Sequence, residues 1–305
     1  MPIVNTDRPM TPRAAEAAVR GLVENFPGAR SRILTVTAFG RPVRTLTLGR
    51  GKRKVLFTAA HHANEWITAP VILKFVEELA RAVRDGKKIA GADGREIVQK
   101  TTVVTVPMVN PDGAALVTGE LEPGQIQYEA ARRMAAFYPQ IPFPSGWKAN
   151  LLGTDLNLNY PALWDQARQI KFAKGYTRPG PRDYVGELPL DQRETAALAA
   201  LTRQLRPEAV LALHTQGKVI YWQFGDYRIP GAEKLGRRLA RVSGYTLAET
   251  PYASSFAGYK DWFIQDFRRP GYTVEAGLGE NPLPLSQFEE IYRNNLPILV
   301  EAALG

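Results

Sequence analysis

Three histidines, His61, His62 and His214, are all the imidazole this 305-residue chain has, and it has no cysteine. A thiolate metal site, a cysteine nucleophile and a disulfide framework are therefore excluded. His62 and Glu65 stand three residues apart in His61-His62-Ala63-Asn64-Glu65-Trp66-Ile67-Thr68. At that spacing in a turn, an imidazole and a carboxylate can converge on one cation. Zinc favours nitrogen and oxygen donors, and its catalytic sites keep three protein ligands and one open position. His214 is available as the third donor. A histidine taken alone is more often structural than ligating, and His61, with no matching partner, reads as a packing residue or a support for the others.

The elements around these residues place them at comparable points. Residues 54–60 (KVLFTAA) are a nearly continuous apolar run, as expected of a strand buried on both faces, and His61 and His62 follow it directly. Residues 68–83 predict an amphipathic helix with Pro70 in its first turn, where proline is tolerated. His214 follows a second buried strand, 209–213. Where strands alternate with helices, ligands gather at the carboxyl ends of strands, so both histidines stand where a site is expected. Elsewhere the pattern predicts helices over 14–25, 194–205, 232–242 and 286–303, the last with Ser286 and Glu289 at capping-box spacing. It predicts strands over 33–37, 43–48, 101–108 and 272–275. Asn110-Pro111-Asp112-Gly113 reads as a turn, and 119–148, rich in proline, glycine and aromatics, as irregular surface structure. No repeat, linker or compositional break divides the chain. The expectation is one α/β domain over residues 1–305, with a mixed, mostly parallel twisted sheet flanked by helices.

Charge says less. The 39 basic residues against 30 acidic give a net +9, which attracts anions in general: nucleic acid, anionic polymers or a carboxylate-rich substrate. The basic residues are scattered and no nucleic-acid-binding motif accompanies them, so nucleic acid is not the expected partner. No apolar run approaches the ~20 residues of a membrane span, and the first residues lack the pattern of a secretory signal. A soluble, cytoplasmic chain is the expectation; a mature secreted form would look the same. Nothing in the sequence speaks to the oligomeric state.

Five further stretches fall in a telling order: Phe39-Gly40-Arg41-Pro42-Val43, Val109-Asn110-Pro111-Asp112-Gly113, Asp155-Leu156-Asn157-Leu158-Asn159, Asp183-Tyr184-Val185-Gly186 with Glu194, and Thr273-Val274-Glu275. Together with His62-x-x-Glu65 and the distant His214, they resemble the zinc metallocarboxypeptidase family (carboxypeptidase A-like, with a phosphorylase/hydrolase-like fold) over nearly the whole chain. The resemblance implies one Zn²⁺ per chain held by His62, Glu65 and His214, with water in the fourth position and Glu275 as the general base. An arginine that the family sets before its DLN segment corresponds to Lys148, either an oxyanion-stabilising cation or a plain surface lysine; as a point charge it lacks the guanidinium fork.

Leu158 departs from the family pattern. Ordinary members place an arginine there, beside Asn157, to grip a peptide's terminal carboxylate, and leucine cannot make that contact. Asn157-Leu158-Asn159-Tyr160-Pro161-Ala162, Pro181-Arg182-Asp183-Tyr184-Val185-Gly186 and Glu275-Ala276-Gly277-Leu278-Gly279-Glu280-Asn281-Pro282 resemble instead the γ-D-glutamyl–diamino acid peptidases, which cut bacterial wall stem peptides between γ-D-glutamate and meso-diaminopimelate. A muropeptide or peptide substrate follows, with Arg182 suited to its carboxylates. The family's mobile tyrosine before G-x-x-D-W has two candidates around Gly258-Tyr259-Lys260-Asp261-Trp262: Tyr252 and Tyr259. The alternatives are a carboxypeptidase of broader specificity acting on ordinary peptide C-termini, and a non-catalytic wall-peptide-binding protein on the same fold.

Overall fold

The computed structural model describes residues 2–305. In chain order its elements are helix α1 (Pro12–Asn25), strands β1 (Ala29–Val36), β2 (Pro42–Leu48) and β3 (Arg53–Ala59), helix α2 (Thr68–Asp85), a two-stranded ribbon β4 (Lys88–Ile89) and β5 (Ala92–Asp93), α3 (Gly94–Lys100) and β6 (Thr101–Val106). Then come α4 (Pro111–Val117), α5 (Ile126–Ala135), α6 (Trp164–Ala173), α7 (Arg193–Leu205), β7 (Ala209–His214), β8 (Val219–Tyr221), α8 (Ala232–Ser243), β9 (Thr246–Ala248), α9 (Tyr259–Phe267), β10 (Gly271–Glu275) and α10 (Phe288–Leu304). Among the described residues, eight strands form one sheet in the order β1-β2-β6-β3-β7-β10-β8-β9. The centre is parallel, β6 with β3, β3 with β7 and β7 with β10, while β1, β2 and β8 join antiparallel. This is the mixed, mostly parallel sheet expected.

The central strands are apolar throughout because both of their faces are covered. Val55, Phe57, Leu211 and Leu213 face a core closed by α1, α2, α8 and α10. The alternate residues Leu56, Val210 and Ala212 face a second core beneath α6, α7 and α9. Each of these side chains is essentially sealed from water, and complete burial of one such side chain is worth about 1.5–3 kcal/mol.

Several sequence expectations need correction. Asn110-Pro111-Asp112-Gly113 opens a helix: Asn110 caps α4 by accepting the Gly113 N–H at 2.9 Å, and Pro111 fills its first position. Residues 119–148 contain α5, which buries only Ala131 and Ala135 and so carries little apolar signal. The Ser286–Glu289 capping box does not form; Leu285–Gln287 is a 3₁₀ turn, and α10 starts at Phe288 without a side-chain cap. No described helix is long and apolar enough to cross a membrane.

Candidate metal and active site

The site is built at the carboxyl ends of β3, β7 and β10, three neighbours in the middle of the sheet. After β3 the chain turns sharply through Ala60, whose φ is 49°, and enters a single 3₁₀ turn, Ala63–Glu65, with His62 at its N-cap. Thr68 closes this turn: its hydroxyl donates to the Glu65 carbonyl at 2.8 Å and accepts the Ala60 N–H at 3.0 Å. Asn110 binds the other side, its amide donating to the carbonyls of His61, Lys148 and Ala149 at 3.2, 3.2 and 3.0 Å. A Cβ on Gly113 would meet the Ala149 carbonyl at 2.4 Å and the Ala63 side chain at 2.7 Å, so the packing of α4 on this turn requires glycine.

His62, Glu65 and His214 converge. His62 Nδ1 lies 2.8 Å from Glu65 Oε1, His214 Nδ1 lies 2.8 Å from Glu65 Oε2, and the two Nδ1 atoms are 3.3 Å apart. Ligands held at ~2.1 Å on a tetrahedral zinc stand ~3.4 Å from one another, so this donor set fits zinc in both chemistry and spacing. Their donor atoms all lie within 4.8 Å of one another, so the three could hold a metal ion together. Burial opposes protonation of His62, but Glu65 and Asp155 outweigh it and raise its pKa to about 9; the carboxylates around the ring favour a positive charge there. Burial would also raise Glu65, yet His62, Lys148 and His214 hold it well below the usual carboxylate range.

Glu275 ends β10, in register with His214 on β7, and lines the same cleft, which has a volume of ≈ 630 Å³. Burial raises its pKa, and the Glu65 charge adds to that against the pull of His214 and Lys148. Lys148 places its ammonium 3.1 Å from Glu65 Oε1. Burial opposes that charge, but Glu65 more than offsets it and raises the lysine's pKa. Lys148 is therefore no surface lysine.

The remaining candidates separate. Asn157, Leu158 and Arg182 line the cleft, and Asn157 Oδ1 also accepts the Tyr259 N–H at 3.1 Å. Tyr252 is 67% exposed on a 3₁₀ turn, Tyr252–Ser254, whose Pro251 and Ser254 line the cleft, while its hydroxyl accepts from Gln166 at 2.5 Å. Tyr259 is fully buried, its hydroxyl paired with Thr202 at 2.9 Å. It is a core residue and cannot close over a substrate. His61 is fully buried as well, stacked between the rings of His214 and Tyr259 at 5.6 and 5.7 Å. Burial, reinforced by His214, keeps it neutral.

Two residues at the centre lie outside the expected set. Asp155 Oδ1 takes His62 Nε2 at 3.1 Å and so fixes the ring of a ligand. Asn281 donates to Glu65 Oε1 at 3.4 Å and to the Thr215 carbonyl at 2.9 Å. The sequence marks both only as members of longer motifs.

Residues 16–298 match the model of a family described as zinc carboxypeptidase. The chain is 41% identical over 283 residues to γ-D-glutamyl-L-diamino acid endopeptidase 1 of Lysinibacillus sphaericus, covering 92% of this chain and 69% of that one. Its fold resembles bovine thrombin-activatable fibrinolysis inhibitor, solved with a tick carboxypeptidase inhibitor, at a TM-score of 0.73 and 16% identity over 98% and 97% of the two chains. Murein-tripeptide amidase MpaA of Escherichia coli O157 is similar at a TM-score of 0.52 and 18% identity, over 89% of this chain and 91% of the other.

Proposed function

The chain belongs to the zinc carboxypeptidase family, and from that premise we propose that it hydrolyses the γ-D-glutamyl–meso-diaminopimelate bond of bacterial wall stem peptides. The observation that carries this choice of bond is Leu158. It lines the cleft, 8% exposed, at the position where ordinary members grip a terminal carboxylate with arginine. The 41% identical relative that is named for cutting such a γ-glutamyl bond supports the same reading.

A zinc ion held by His62, Glu65 and His214 would acidify water and polarise the scissile carbonyl. Glu275, desolvated and with its pKa raised, takes a proton from the attacking water and delivers it to the departing amine. Lys148 adds a positive charge beside the carbonyl oxygen as negative charge develops on it. Asp155, paired with His62 Nε2, would hold the ring in the tautomer whose Nδ1 is left free as a donor. Asn157 stands in the cleft wall with its side chain tied to the start of α9, positioned for substrate contact.

The test is digestion of the tripeptide L-alanyl-γ-D-glutamyl-meso-diaminopimelate, followed by mass spectrometry with and without chelator. Release of free diaminopimelate, lost on chelation, is the expected result. Glu275→Gln should lower kcat at least ~10³-fold while zinc content stays at one per chain. Cleavage of a blocked ordinary peptide in preference to the tripeptide would favour the broad carboxypeptidase. Zinc binding without cleavage of either substrate would leave only a binding protein.

A further inference from the structure

The cleft is lined by charged side chains that the reaction does not use. Lys171 and Arg182 stand there beside Asp155 and Asp183, and Asp155 is committed to His62. Asp183 is the hub. It is 8% exposed, sits in the left-handed region at φ 66°, and donates its N–H to Asp155 Oδ2 at 3.2 Å. Its Oδ1 takes the Lys171 ammonium, and its Oδ2 accepts from Arg182 Nε at 2.7 Å.

That arrangement aims Arg182. Only Nε is tied down; among the described residues the terminal nitrogens Nη1 and Nη2 make no hydrogen bond, and the side chain stays 39% exposed at the cleft. The guanidinium thus offers a free fork, the geometry that binds a carboxylate through two parallel bonds. Its anchor belongs to the network that holds a metal ligand, Arg182 to Asp183 to Asp155 to His62, so its distance from the reacting carbonyl is fixed by the fold. The N–H groups of Lys148 and Ala149 both donate to the Pro181 carbonyl, at 2.7 and 2.9 Å, so Arg182 adjoins the segment that carries Lys148. With Lys148 at the carbonyl oxygen in the proposed mechanism, Arg182 is the neighbouring cation available to the acyl portion of the substrate.

We propose that Arg182, held by Asp183 and Lys171, binds the free α-carboxylate of the γ-linked glutamyl residue and makes the protein discriminate against stem peptides in which that carboxylate is amidated. The inference rests on the γ-glutamyl reading above. A γ-linked glutamate carries its α-carboxylate beyond two methylenes and the α carbon, counted from the scissile carbonyl. An amide in that place keeps one carbonyl oxygen to accept but turns an N–H₂ toward a cation that has only donors, so one arm of the fork is left unpaired and the charge pairing is lost.

The test compares kcat/KM of the zinc-loaded wild type, Arg182→Gln and Arg182→Lys on the tripeptide with a free glutamyl α-carboxylate and with its α-amide. Wild type should prefer the free acid by about 50-fold. Arg182→Gln should bring the ratio near one through loss on the free acid. Arg182→Lys, which keeps the charge without the fork, should retain about fivefold preference. Since each ratio is internal to one protein, partial unfolding of a variant does not move it. A wild type that cleaves both substrates equally, or an Arg182→Gln that keeps the preference, overturns the assignment and leaves the γ-glutamyl reading standing. A wild type that cleaves neither overturns both.

Discussion

Asp155 shows how one carboxylate outside the three-residue donor set governs the site around it. Oδ1 holds His62 Nε2 and the Asn157 N–H, and Oδ2 holds the Asp183 N–H. Burial opposes its charge, but His62 and Lys148 outweigh that and keep it ionised far into acid. Carboxylates behind metal-bound histidines raise ligand basicity, and their loss commonly costs ~10–100-fold in metal affinity. Asp155→Asn should therefore weaken zinc binding by about that factor, read by competition with a chromophoric chelator; unchanged affinity would take Asp155 out of this role. At this scale the sequence was legible where spacing is local. His62 and Glu65 announce themselves three residues apart, whereas Asp155 needs a partner 93 residues away. Tyr259 misled because a motif position does not say which way a helix turns its side chain, and α9 buries every residue from Tyr259 to Ile264.

The same burial explains what the elements concealed. In α9 the charged Lys260 and Asp261 pair with each other, at 2.5 Å, within the buried run, so no polar stripe marks the helix. Strands β8 and β9 have three residues each, too few for a period of two to register. The strongly patterned elements were readable: β3, β7 and α2 lie within one or two residues of expectation. Helix α7 carries a measurable pH effect of its own. Glu194 in its first turn is 2% exposed, and burial raises its pKa to about 7 from the usual 4.5. The folded chain thus keeps a proton that the unfolded chain releases above pH ~4.5, so this residue's contribution is most favourable below that pH and is lost as pH rises through 7. Glu194→Gln should leave stability nearly unchanged at pH 4 and raise it by about 3 kcal/mol at pH 8. Urea denaturation of the two proteins at both values measures the difference; equal differences at the two values would refute it.

For the molecule as a whole, the sheet gathers ligands from strands far apart in sequence and sets buried carboxylates facing one another across the site. A cation that binds this arrangement and not the unfolded chain adds RT ln(1 + [L]/Kd) to stability, about 4 kcal/mol at a thousandfold excess over Kd. In a chain of 305 residues that corresponds to about 6 °C in Tm. Removing metal by chelation and restoring it with zinc should move a calorimetric transition down and back by that amount, and the shift should vanish in His214→Ala. A transition indifferent to chelator would mean that the folded chain does not hold the ion tightly. The fold class was legible because continuous apolar runs alternate with amphipathic helices. The sheet order was not, since it depends on which strands pair across long intervals.

That order bears on how the protein is made. The slot between β3 and β10 is filled by β7, whose first residue is 209, and β10 follows more than fifty residues later. While only the first two hundred residues have left the ribosome, β3 has β6 on one side and an unpaired row of backbone donors and acceptors on the other. Such an apolar open edge is a template for pairing with a neighbouring chain. The nascent protein therefore passes through its most association-prone stage with two of the three proposed metal ligands already synthesised. Zinc uptake can only follow the closing of that gap, and a ribosome stalled before residue 209 releases a fragment that is both sticky and unable to hold the ion.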